Sequence, residues 1–428
     1  MQIFRNPINT TRTKIIERPK TESSASKGVV KDILSNIRKN GDVAVREYTH
    51  RFDKVDMDDF RVSRKEVQSA IKKVAPELIE AINIAADNIR KFHEAQRRFY
   101  GITETMPGVK CWQKAVPIEK VGLYIPGGSA PLFSTVLMLG IPAHIAGCNE
   151  VVLCTPPDKR GNIHPAILYA ASISNIKSIY KIGGVQAIAA MAYGTETVMK
   201  ADKIFGPGNS WVTMAKQMIS VEECAIDMPA GPSELLVIAD DSAEPAFIAS
   251  DLLSQAEHGP DSQVLLVTCH ELIIEKVITE LEIQIKTLPR AAIALKAIQN
   301  SRAVLLNDED EILSFVNQYA PEHLIIATRT ATNLADRIIN AGSVFIGNYT
   351  PESAGDYASG TNHTLPTHGW TRAFSGINLD SFCKIISFQE ISFEGIKTLG
   401  PIIETMAEAE ELIAHKRAAS IRFRNEII

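Results

Sequence analysis

The sequence predicts an α/β protein with two domains of repeated βαβ units, a helical N-terminal region and a helical C-terminal tail. Three observations support this fold class. Residues 24–100 are charged and place apolar side chains at helical spacing. After residue 107, short β-branched runs end in glycine or proline and lead into helical stretches. The last part of the chain returns to a helical pattern, and 428 residues exceed what one hydrophobic core usually organises.

Two series of strands carry the α/β prediction. The first has strands at Val121 to Ile125, Val151 to Cys154, Ser178 to Ile182, and Lys203 to Phe205. The second has strands at Leu235 to Ala239, Gln263 to Cys269, Val304 to Leu306, Leu324 to Ala327, and Ser343 to Ile346. The tail is predicted to end in one long helix, Ile402 to Arg422. We therefore divide the chain into a helical region at 1–106, one α/β domain at 107–128 and 233–380, a second at 129–232, and a tail at 381–428.

Composition limits the classes of partner. Hydrophobic residues make up 45% and charged residues 22%, as in an ordinary globular protein. The net charge is −5, and no basic cluster interleaved with aromatics marks a nucleic-acid surface. The longest nearly uncharged stretch, Val136 to Cys148, is too short to span a membrane. The N-terminus lacks a signal-peptide pattern, and the six cysteines form no Cys-x-x-Cys pair, so we expect a cytoplasmic protein with reduced thiols.

The segment before Gly259 is the first candidate for chemistry. A helix is predicted from about Pro245 to His258, where Gly259 and Pro260 stop it. Gln255 and His258 are three residues apart on this helix, so an amide oxygen and a ring nitrogen converge on one point. That arrangement suits a metal ion. Spacing alone, however, favours an ordinary polar helix end at which the histidine interacts with the helix dipole.

Several longer motifs carry a resemblance to a known family. Residues 226–234, Ile-Asp-Met-Pro-Ala-Gly-Pro-Ser-Glu, followed by residues 251–259, Asp-Leu-Leu-Ser-Gln-Ala-Glu-His-Gly, resemble the signature of histidinol dehydrogenases. The resemblance continues at residues 122–129, 205–209, 319–324 and 355–363. It covers roughly Pro107 to the C-terminus. The first twenty residues carry no motif that we can place.

The resemblance implies an enzyme that oxidises L-histidinol to L-histidine through an aldehyde, with two successive hydride transfers to NAD, and that binds zinc. The residues that match the family's metal site are Gln255, His258, Asp356 and His415. Nitrogen and oxygen ligands with open positions fit a catalytic zinc, whereas a closed structural site would more typically use thiolates. In the family, the metal orients the imidazole and the amine of the substrate.

Glu322 and His323 match the family's acid/base pair. Alcohol oxidation needs a base for the hydroxyl proton, and aldehyde oxidation needs an activated water. We expect His323 to exchange the hydroxyl proton in the first step and Glu322 to activate water in the second. Without the resemblance, a Glu-His pair after Ala320 and Pro321 would be interpreted as a solvated turn.

The resemblance also implies a set of substrate contacts. The matching residues are Ser233, Gln255, His258, His323, Asp356, His363, Glu410 and His415. Helix geometry alone would favour Glu411, four residues before His415, as the neighbour of that histidine. We keep Glu410 because it occupies the family's position.

The cofactor site has little support from pattern alone. No G-x-G-x-x-G follows a strand and no P-loop is present, so the two Rossmann-like domains lack the usual dinucleotide fingerprint. Three glycine-containing turns, at residues 126–129, 183–184 and 206–208, could bring helix N-termini toward an anionic cofactor, or could simply be tight βα turns. The resemblance implies that Tyr124, Gln186 and Asn209 bind NAD. It makes 129–232 the NAD-binding domain, and 107–128 with 233–380 the domain for metal and substrate.

Three alternatives remain open from the sequence. Cys148 or Cys111 could form a thiohemiacetal with the aldehyde, although both lie in apolar settings where cysteine usually packs as a small hydrophobe. A zinc hydrolase would use Glu322 to activate water without hydride transfer, and a metal-binding regulatory protein would show no turnover. The resemblance further implies a homodimer with a shared active site, in which His415 comes from the partner chain.

Overall fold

The computed structural model describes residues 1–18, 24–127, 130–229 and 231–424. Parallel sheets flanked by helices dominate this part of the chain, so the predicted α/β class is confirmed. The strands are β1 (Gln2–Arg5), β2 (Thr103–Met106), β3 (Val109–Pro117), β4 (Lys120–Tyr124), β5 (Glu150–Thr155), β6 (Ser178–Lys181), β7 (Lys203–Phe205), β8 (Ala225–Ile226), β9 (Glu234–Ala239), β10 (Gln263–Thr268), β11 (Arg302–Leu305), β12 (His323–Ala327), β13 (Ser343–Ile346) and β14 (Cys383–Ile391). The helices are α1 (Asn9–Ile16), α2 (Ser24–Asp53), α3 (Arg64–Ile71), α4 (Pro76–Glu94), α5 (Phe133–Ala146), α6 (Pro165–Ile173), α7 (Gly184–Tyr193), α8 (Ser210–Ser220), α9 (Pro245–Ala256), α10 (Glu271–Gln284), α11 (Ala291–Gln299), α12 (Glu309–Tyr319), α13 (Ala331–Ala335), α14 (Glu352–Tyr357), α15 (Phe393–Ala409) and α16 (Ile413–Ser420).

The two parallel sheets share one strand order. The larger sheet runs β1-β11-β10-β9-β12-β13 and the smaller runs β6-β5-β4-β7-β8. When strands are counted within each series, β9 to β13 and β4 to β8 both follow the order 3-2-1-4-5 of a doubly wound nucleotide-binding half. Strand β1 adds one parallel edge to the larger sheet. The two Rossmann-like domains are therefore present.

Burial explains why the strands of the larger sheet are continuous apolar runs. Every residue of β9 and of β10 is buried, because helices cover both faces of the sheet. Alternate residues of β9 enter different cores: Leu235 and Val237 pack on one face, Leu236 and Ile238 on the other. Within the described ranges, no helix is both long and apolar enough to cross a membrane.

The N-terminal helices cover the smaller sheet instead of forming a separate core. Ile33 and Ile37 of α2 pack in one cluster with Ile188 of α7. Ile89 of α4 packs with Leu137 of α5 in another cluster. The region is helical, as predicted from residue 24 onward, but its apolar faces are completed by the α/β domain that follows.

Strand β4 lies in the smaller sheet, with the first series of strands to which its sequence pattern assigned it. It is the central strand of that sheet and pairs with β5 and β7. The predicted boundary that groups 107–128 with 233–380 therefore separates β4 from the strands to which it is hydrogen-bonded. The domain boundaries as a whole stay a prediction.

The C-terminal tail differs from the single helix that we predicted. Strand β14 pairs antiparallel with β3 along its whole length, and β2 completes a three-stranded sheet. Two helices follow, because Glu411 adopts a left-handed conformation with φ of 62° between α15 and α16. We call the segment from β14 through α16 the C-terminal arm.

The turn after β7 requires glycine at residue 206. Gly206 has φ of +124°, and a Cβ atom there would lie 2.0 Å from the carbonyl oxygen of Tyr124. Gly206→Ala should therefore destabilise the protein by about 2 to 3 kcal/mol, seen as a lower thermal unfolding midpoint. Gly28 in α2 is the matched control, because an added Cβ meets nothing within 4 Å. Gly28→Ala should leave the midpoint unchanged or raise it; equal losses in both variants would contradict the steric explanation.

Candidate active site

A cluster of acidic and histidine side chains lies at the amino ends of two adjacent strands of the larger sheet. Glu234 is the first residue of β9 and His323 is the first residue of β12, directly after Glu322. The parallel register places His323 beside Leu235, one residue from Glu234. Glu322 and His323 are both buried, so the alternative of a solvated turn is wrong.

The main chain of Glu234 holds both members of the predicted acid/base pair. Its N–H donates a hydrogen bond of 2.7 Å to Oε2 of Glu322. Its carbonyl oxygen lies 3.3 Å from Nδ1 of His323. A carbonyl can only accept, so Nδ1 of His323 carries the proton and Nε2 keeps a free lone pair. His323 is thus oriented as a base through Nε2.

Burial sets the protonation of this pair in the metal-free protein. Desolvation raises the pKa of Glu322 well above its ordinary value, and the nearby carboxylates of Glu234, Asp356 and Glu352 add to that rise. Desolvation also lowers the pKa of His323 to about 3. Burial therefore favours the neutral form of both side chains when no cation is bound.

Oxygen and nitrogen donors converge next to this pair. Ligand atoms of His258, Glu352 and Asp356 all lie within 4.8 Å of one another, and we call these three residues the His258 cluster. Nε2 of His323 is 3.8 Å from Oδ1 of Asp356 and 4.0 Å from Oε1 of Glu352. Among the described residues, Oε1 of Gln255 and Oε1 of Glu352 are buried without a hydrogen-bond partner. Unpartnered buried acceptors beside a carboxylate and an imidazole suit a divalent cation.

Glu352 is the member of this cluster that we did not predict. Burial, followed by repulsion from the Asp356 carboxylate, raises the pKa of Glu352 to about 8. Burial raises the pKa of Asp356 to about 6. The two residues are four apart in α14 and therefore lie on one helix face. That spacing in the sequence was the signal that could have identified Glu352.

The helix that carries Gln255 ends earlier than predicted. Helix α9 stops at Ala256, Glu257 is its C-cap, and His258 lies in the turn beyond it. The expectation that both side chains lie in one last helical turn is therefore wrong. Gln255 is buried inside the helix, whereas His258 is half-exposed and lies with Nε2 3.9 Å from Oδ2 of Asp356.

A hydrogen bond links this cluster to the smaller sheet. His363 has Nδ1 2.8 Å from the carbonyl oxygen of Asp356, and Nε2 3.0 Å from Oγ1 of Thr135 in α5. Helix α5 directly follows β4, so the predicted substrate contact His363 touches both domains. Ser233, another predicted contact, is adjacent to Glu234 in the chain and accepts a 3.1 Å hydrogen bond at its carbonyl from Gln263.

The structure does not bring the C-terminal candidates to the cluster within one chain. His415 lies exposed in α16, and Glu410 is the C-cap of α15. Among the described residues, no hydrogen bond or ion pair joins either one to the His258 cluster. The helix argument for Glu411 fails, because Glu411 interrupts the helix on which it was based.

Two predicted NAD contacts lie near the carboxyl ends of the strands in the smaller sheet. Tyr124 is the last residue of β4, and its hydroxyl accepts a 3.0 Å hydrogen bond from the N–H of Gly184 at the start of α7. Gln186 of α7 donates from Nε2 to Oδ2 of Asp53 at 3.2 Å. Burial raises the pKa of Asp53 to about 6. Asp53, at the end of α2, was missed because no motif surrounds it.

Asn209 lies in the next turn of the same sheet edge. Its side-chain oxygen accepts from the N–H groups of Trp211 and Val212, both at 3.1 Å, and so caps α8. This turn begins at Gly206, which packs against the end of β4. Gly128 and Ser129 of the first glycine turn, and Ala230 of the 226–234 motif, lie outside the described residues.

The cysteines do not favour the thiohemiacetal alternative. Burial raises the pKa of Cys148 to about 12, and its Sγ lies 3.7 Å from the carbonyl oxygen of Phe382. A thiol with this pKa carries almost no thiolate at neutral pH. Cys111 pairs with Gln389 in the antiparallel sheet. Neither cysteine belongs to the acidic and histidine cluster.

The raised pKa of Glu352 gives the metal-free protein a distinct pH dependence. Between the ordinary value of 4.5 and about 8, the folded protein keeps a proton that the unfolded chain has lost. Stability is therefore greatest below this window and falls as pH rises through it, by up to about 1.4 kcal/mol for each pH unit. Chelator-treated Glu352→Gln should show a shallower decline of the thermal midpoint. Glu394→Gln, at an exposed position, is the control. If the thermal midpoint fell equally steeply with pH in the wild-type, Glu352→Gln and Glu394→Gln proteins, the raised pKa of Glu352 would be refuted.

Comparisons with known proteins bear on the whole chain. The family model described as histidinol dehydrogenase matches residues 16–423, which extends the resemblance well before Pro107. A histidinol dehydrogenase of Bacteroides thetaiotaomicron is 56% identical over 422 residues, covering 99% of each chain. One from Vibrio vulnificus is 51% identical over 423 residues, covering 98% of this chain and 97% of that one. The crystal structure of histidinol dehydrogenase from Elizabethkingia anophelis has a TM-score of 0.97 and 55% identity, covering 99% of this chain and 98% of that chain. The chain belongs to the histidinol dehydrogenase family.

Proposed function

We propose that the protein oxidises L-histidinol to L-histidine through L-histidinal, with two NAD⁺ as hydride acceptors and with zinc at the His258 cluster. The reaction would complete histidine biosynthesis in the cytoplasm. Family membership supports the substrate. The single observation that carries the chemistry is the main chain of Glu234, which orients Glu322 and His323 beside a set of nitrogen and oxygen donors.

Gln255, His258 and Asp356 of one chain, with His415 of a second copy, are the residues that would hold zinc. The unpartnered Oε1 of Gln255 and the adjoining His258 and Asp356 side chains support this donor set. When bound, zinc would hold the imidazole and amine of the substrate and would lower the pKa of nearby carboxyl groups. Glu352 borders these donors, and Ser254 donates a 2.8 Å hydrogen bond to its Oε2.

His323 acts in the first oxidation. Its Nδ1–H is held by the Glu234 carbonyl, so Nε2 accepts the hydroxyl proton of histidinol while a hydride leaves the carbinol carbon for the first NAD⁺. The products of this step are the aldehyde, NADH and one proton. Burial keeps His323 neutral, so Nε2 has a free lone pair for that proton. The Asp356 carboxylate, with Oδ1 3.8 Å from Nε2, would stabilise the imidazolium that forms.

Glu322 acts in the second oxidation. As a carboxylate it would accept a proton from water while the water oxygen bonds to the aldehyde carbon, which gives the anion of the aldehyde hydrate. Loss of a hydride from that carbon to the second NAD⁺ would give L-histidine, and Glu322 would release its proton to solvent. The N–H of Glu234 stabilises the ionised form, which burial alone would disfavour. Ser233 and His363 border the pair and are the proposed substrate contacts, together with Glu410 of the second copy.

The smaller sheet is the proposed NAD-binding domain. In open sheets of this order, ligands bind outside the carboxyl ends of the strands where the order reverses, here between β4 and β7. Tyr124 and Asn209 lie at that edge, and Gln186 lies close by in α7. Thr135 of α5, the helix after β4, is hydrogen-bonded to His363. The proposed cofactor and substrate sites therefore lie next to each other.

The C-terminal arm supports a homodimer. Many of its large apolar side chains are exposed in the single chain: Ile385, Ile386, Ile391, Phe393, Ile402, Met406, Leu412 and Ile413. Exposed large apolar side chains concentrated in one segment are typical of a protein interface. We propose that a second copy covers it and that His415 and Glu410 thereby complete the partner's active site.

Turnover tests the proposed reaction directly. Purified protein with L-histidinol and excess NAD⁺ should form two NADH for each histidinol consumed. The NADH is measured by its absorbance at the nicotinamide band. A chelator should abolish this absorbance, and added zinc should restore it. Histidinol consumption without NADH would favour a hydrolase, and zinc binding without any turnover would favour a regulatory protein.

Mixed dimers test the shared site. His415→Ala and His323→Ala chains should each be inactive alone, whereas a co-expressed mixture should regain about a quarter of wild-type activity, because half the dimers contain one intact site. The matched control mixes Glu322→Gln chains with His323→Ala chains. One chain supplies both of these residues to each site, so neither site of the mixed dimer is intact. Recovery in the control, or none in isolated His415/His323 heterodimers, would contradict the arrangement.

A further inference from the structure

Arg18, in the N-terminal segment where we found no motif, forms a buried ion pair with Glu234. Its Nε and Nη2 atoms lie 2.9 Å from Oε1 and Oε2 of Glu234, respectively. The Glu234 side chain is 1% exposed and the Arg18 side chain 10% exposed. Two parallel hydrogen bonds of this kind fix the carboxylate in plane as well as in position.

The same guanidinium also binds the turn that leads into the acid/base pair. Nη2 of Arg18 donates to the carbonyl oxygens of Tyr319 at 2.8 Å and Ala320 at 3.4 Å. The guanidinium carbon lies 3.8 Å from the centre of the Tyr319 ring. Ala320 has φ of 55°, a left-handed conformation that costs free energy for any residue with a Cβ atom. Arg18 thus supports a strained turn two residues before Glu322.

Glu234 connects these contacts to the chemistry. Its side chain is held by Arg18 and by the N–H of His368, which donates to Oε1 at 2.9 Å. Its main chain holds Glu322 and His323. We propose that Arg18 is a positioning residue for the Glu322 and His323 pair, fixing both the Glu234 main chain and the turn before Glu322 while touching neither substrate nor cofactor. This inference rests on the proposed function.

The N-terminal segment has other anchors, so Arg18 is not needed merely to attach it. Strand β1 pairs with β11 over four residues. Arg12 of α1 pairs with Glu311 at 3.0 Å and binds the carbonyl oxygen of Pro7 at 2.8 Å. Arg12→Gln therefore removes a comparable arginine contact from the same segment, away from the active site, and serves as the matched control.

Steady-state kinetics of three variants test the proposal. Arg18→Gln should lower kcat by about 100-fold with KM for histidinol changed less than about twofold, because a displacement near 1 Å can cost this much rate. Arg18→Lys should be intermediate, since an ammonium group lacks the planar fork that spans Glu234 and Tyr319. Arg12→Gln should retain wild-type kcat. Zinc content should be unchanged in all three.

The two half-reactions provide a sharper readout. With histidinal supplied directly, Arg18→Gln should lose the same factor in rate as with histidinol, because Glu234 positions both Glu322 and His323. Unequal losses, or a change in KM alone, would overturn the proposal. If Arg18→Gln alone unfolds because the Glu234 carboxylate is left buried without a partner, the double variant Arg18→Gln with Glu234→Gln removes that charge and replaces the single variant in the test. Wild-type kcat in either folded protein would overturn it.

A crystal structure of Arg18→Gln separates this proposal from the proposed function. The expected change is displacement of the Glu322 carboxylate from the N–H of Glu234 and a rearranged turn at Ala320. An unchanged Glu322 position would overturn the positioning role, whatever the enzyme turns over. Wild-type protein that forms no NADH from histidinol would instead refute the proposed reaction and leave the structural comparison to decide the role of Arg18.

Discussion

Two hydrogen bonds to the main chain of Glu234 are the constraint on which this site depends. Because β9 and β12 are hydrogen-bonded neighbours in parallel register, the first peptide groups of β9 face the start of β12, where Glu322 and His323 lie. A peptide group cannot change rotamer, so it holds two titratable side chains more rigidly than another side chain would. The buried charge of Glu234 in turn requires a cation, which Arg18 supplies.

The two sheets share a strand order, but their candidate functional residues lie at opposite edges. In the smaller sheet, Tyr124 and Gln186 occupy the carboxyl edge, where ligands of doubly wound sheets ordinarily bind. In the larger sheet, Glu322 and His323 occupy the amino edge, and α9 returns Gln255 to that side. A search guided only by the carboxyl-edge rule would have missed the second site. The bond between Thr135 and His363 joins the two edges.

Local sequence patterns predicted the positions of the buried parallel strands. Strands such as Lys203–Phe205 and Ser343–Ile346 were predicted at their observed bounds, since buried parallel strands are apolar runs ended by turns. The antiparallel pairing of β3 with β14 was missed because it joins partly exposed segments far apart in the chain. Glu322 and His323 were identified only through the family resemblance, and Arg18 by neither route, because its importance lies entirely in contacts with residues more than 200 positions away.

The pairing of β1 with β11 has a consequence for how the chain reaches this structure. Gln2 pairs with Arg302 and Arg5 with Leu305, so strand β1 has no partner until about 70% of these 428 residues have been synthesised. The smaller sheet and its helices, all within residues 24–226, can fold earlier from the emerging chain. Long-range parallel pairing is slow because loop closure precedes its contacts. During synthesis, β1 and the segment that carries Arg18 can therefore pack onto the larger sheet only after the smaller sheet has had time to fold.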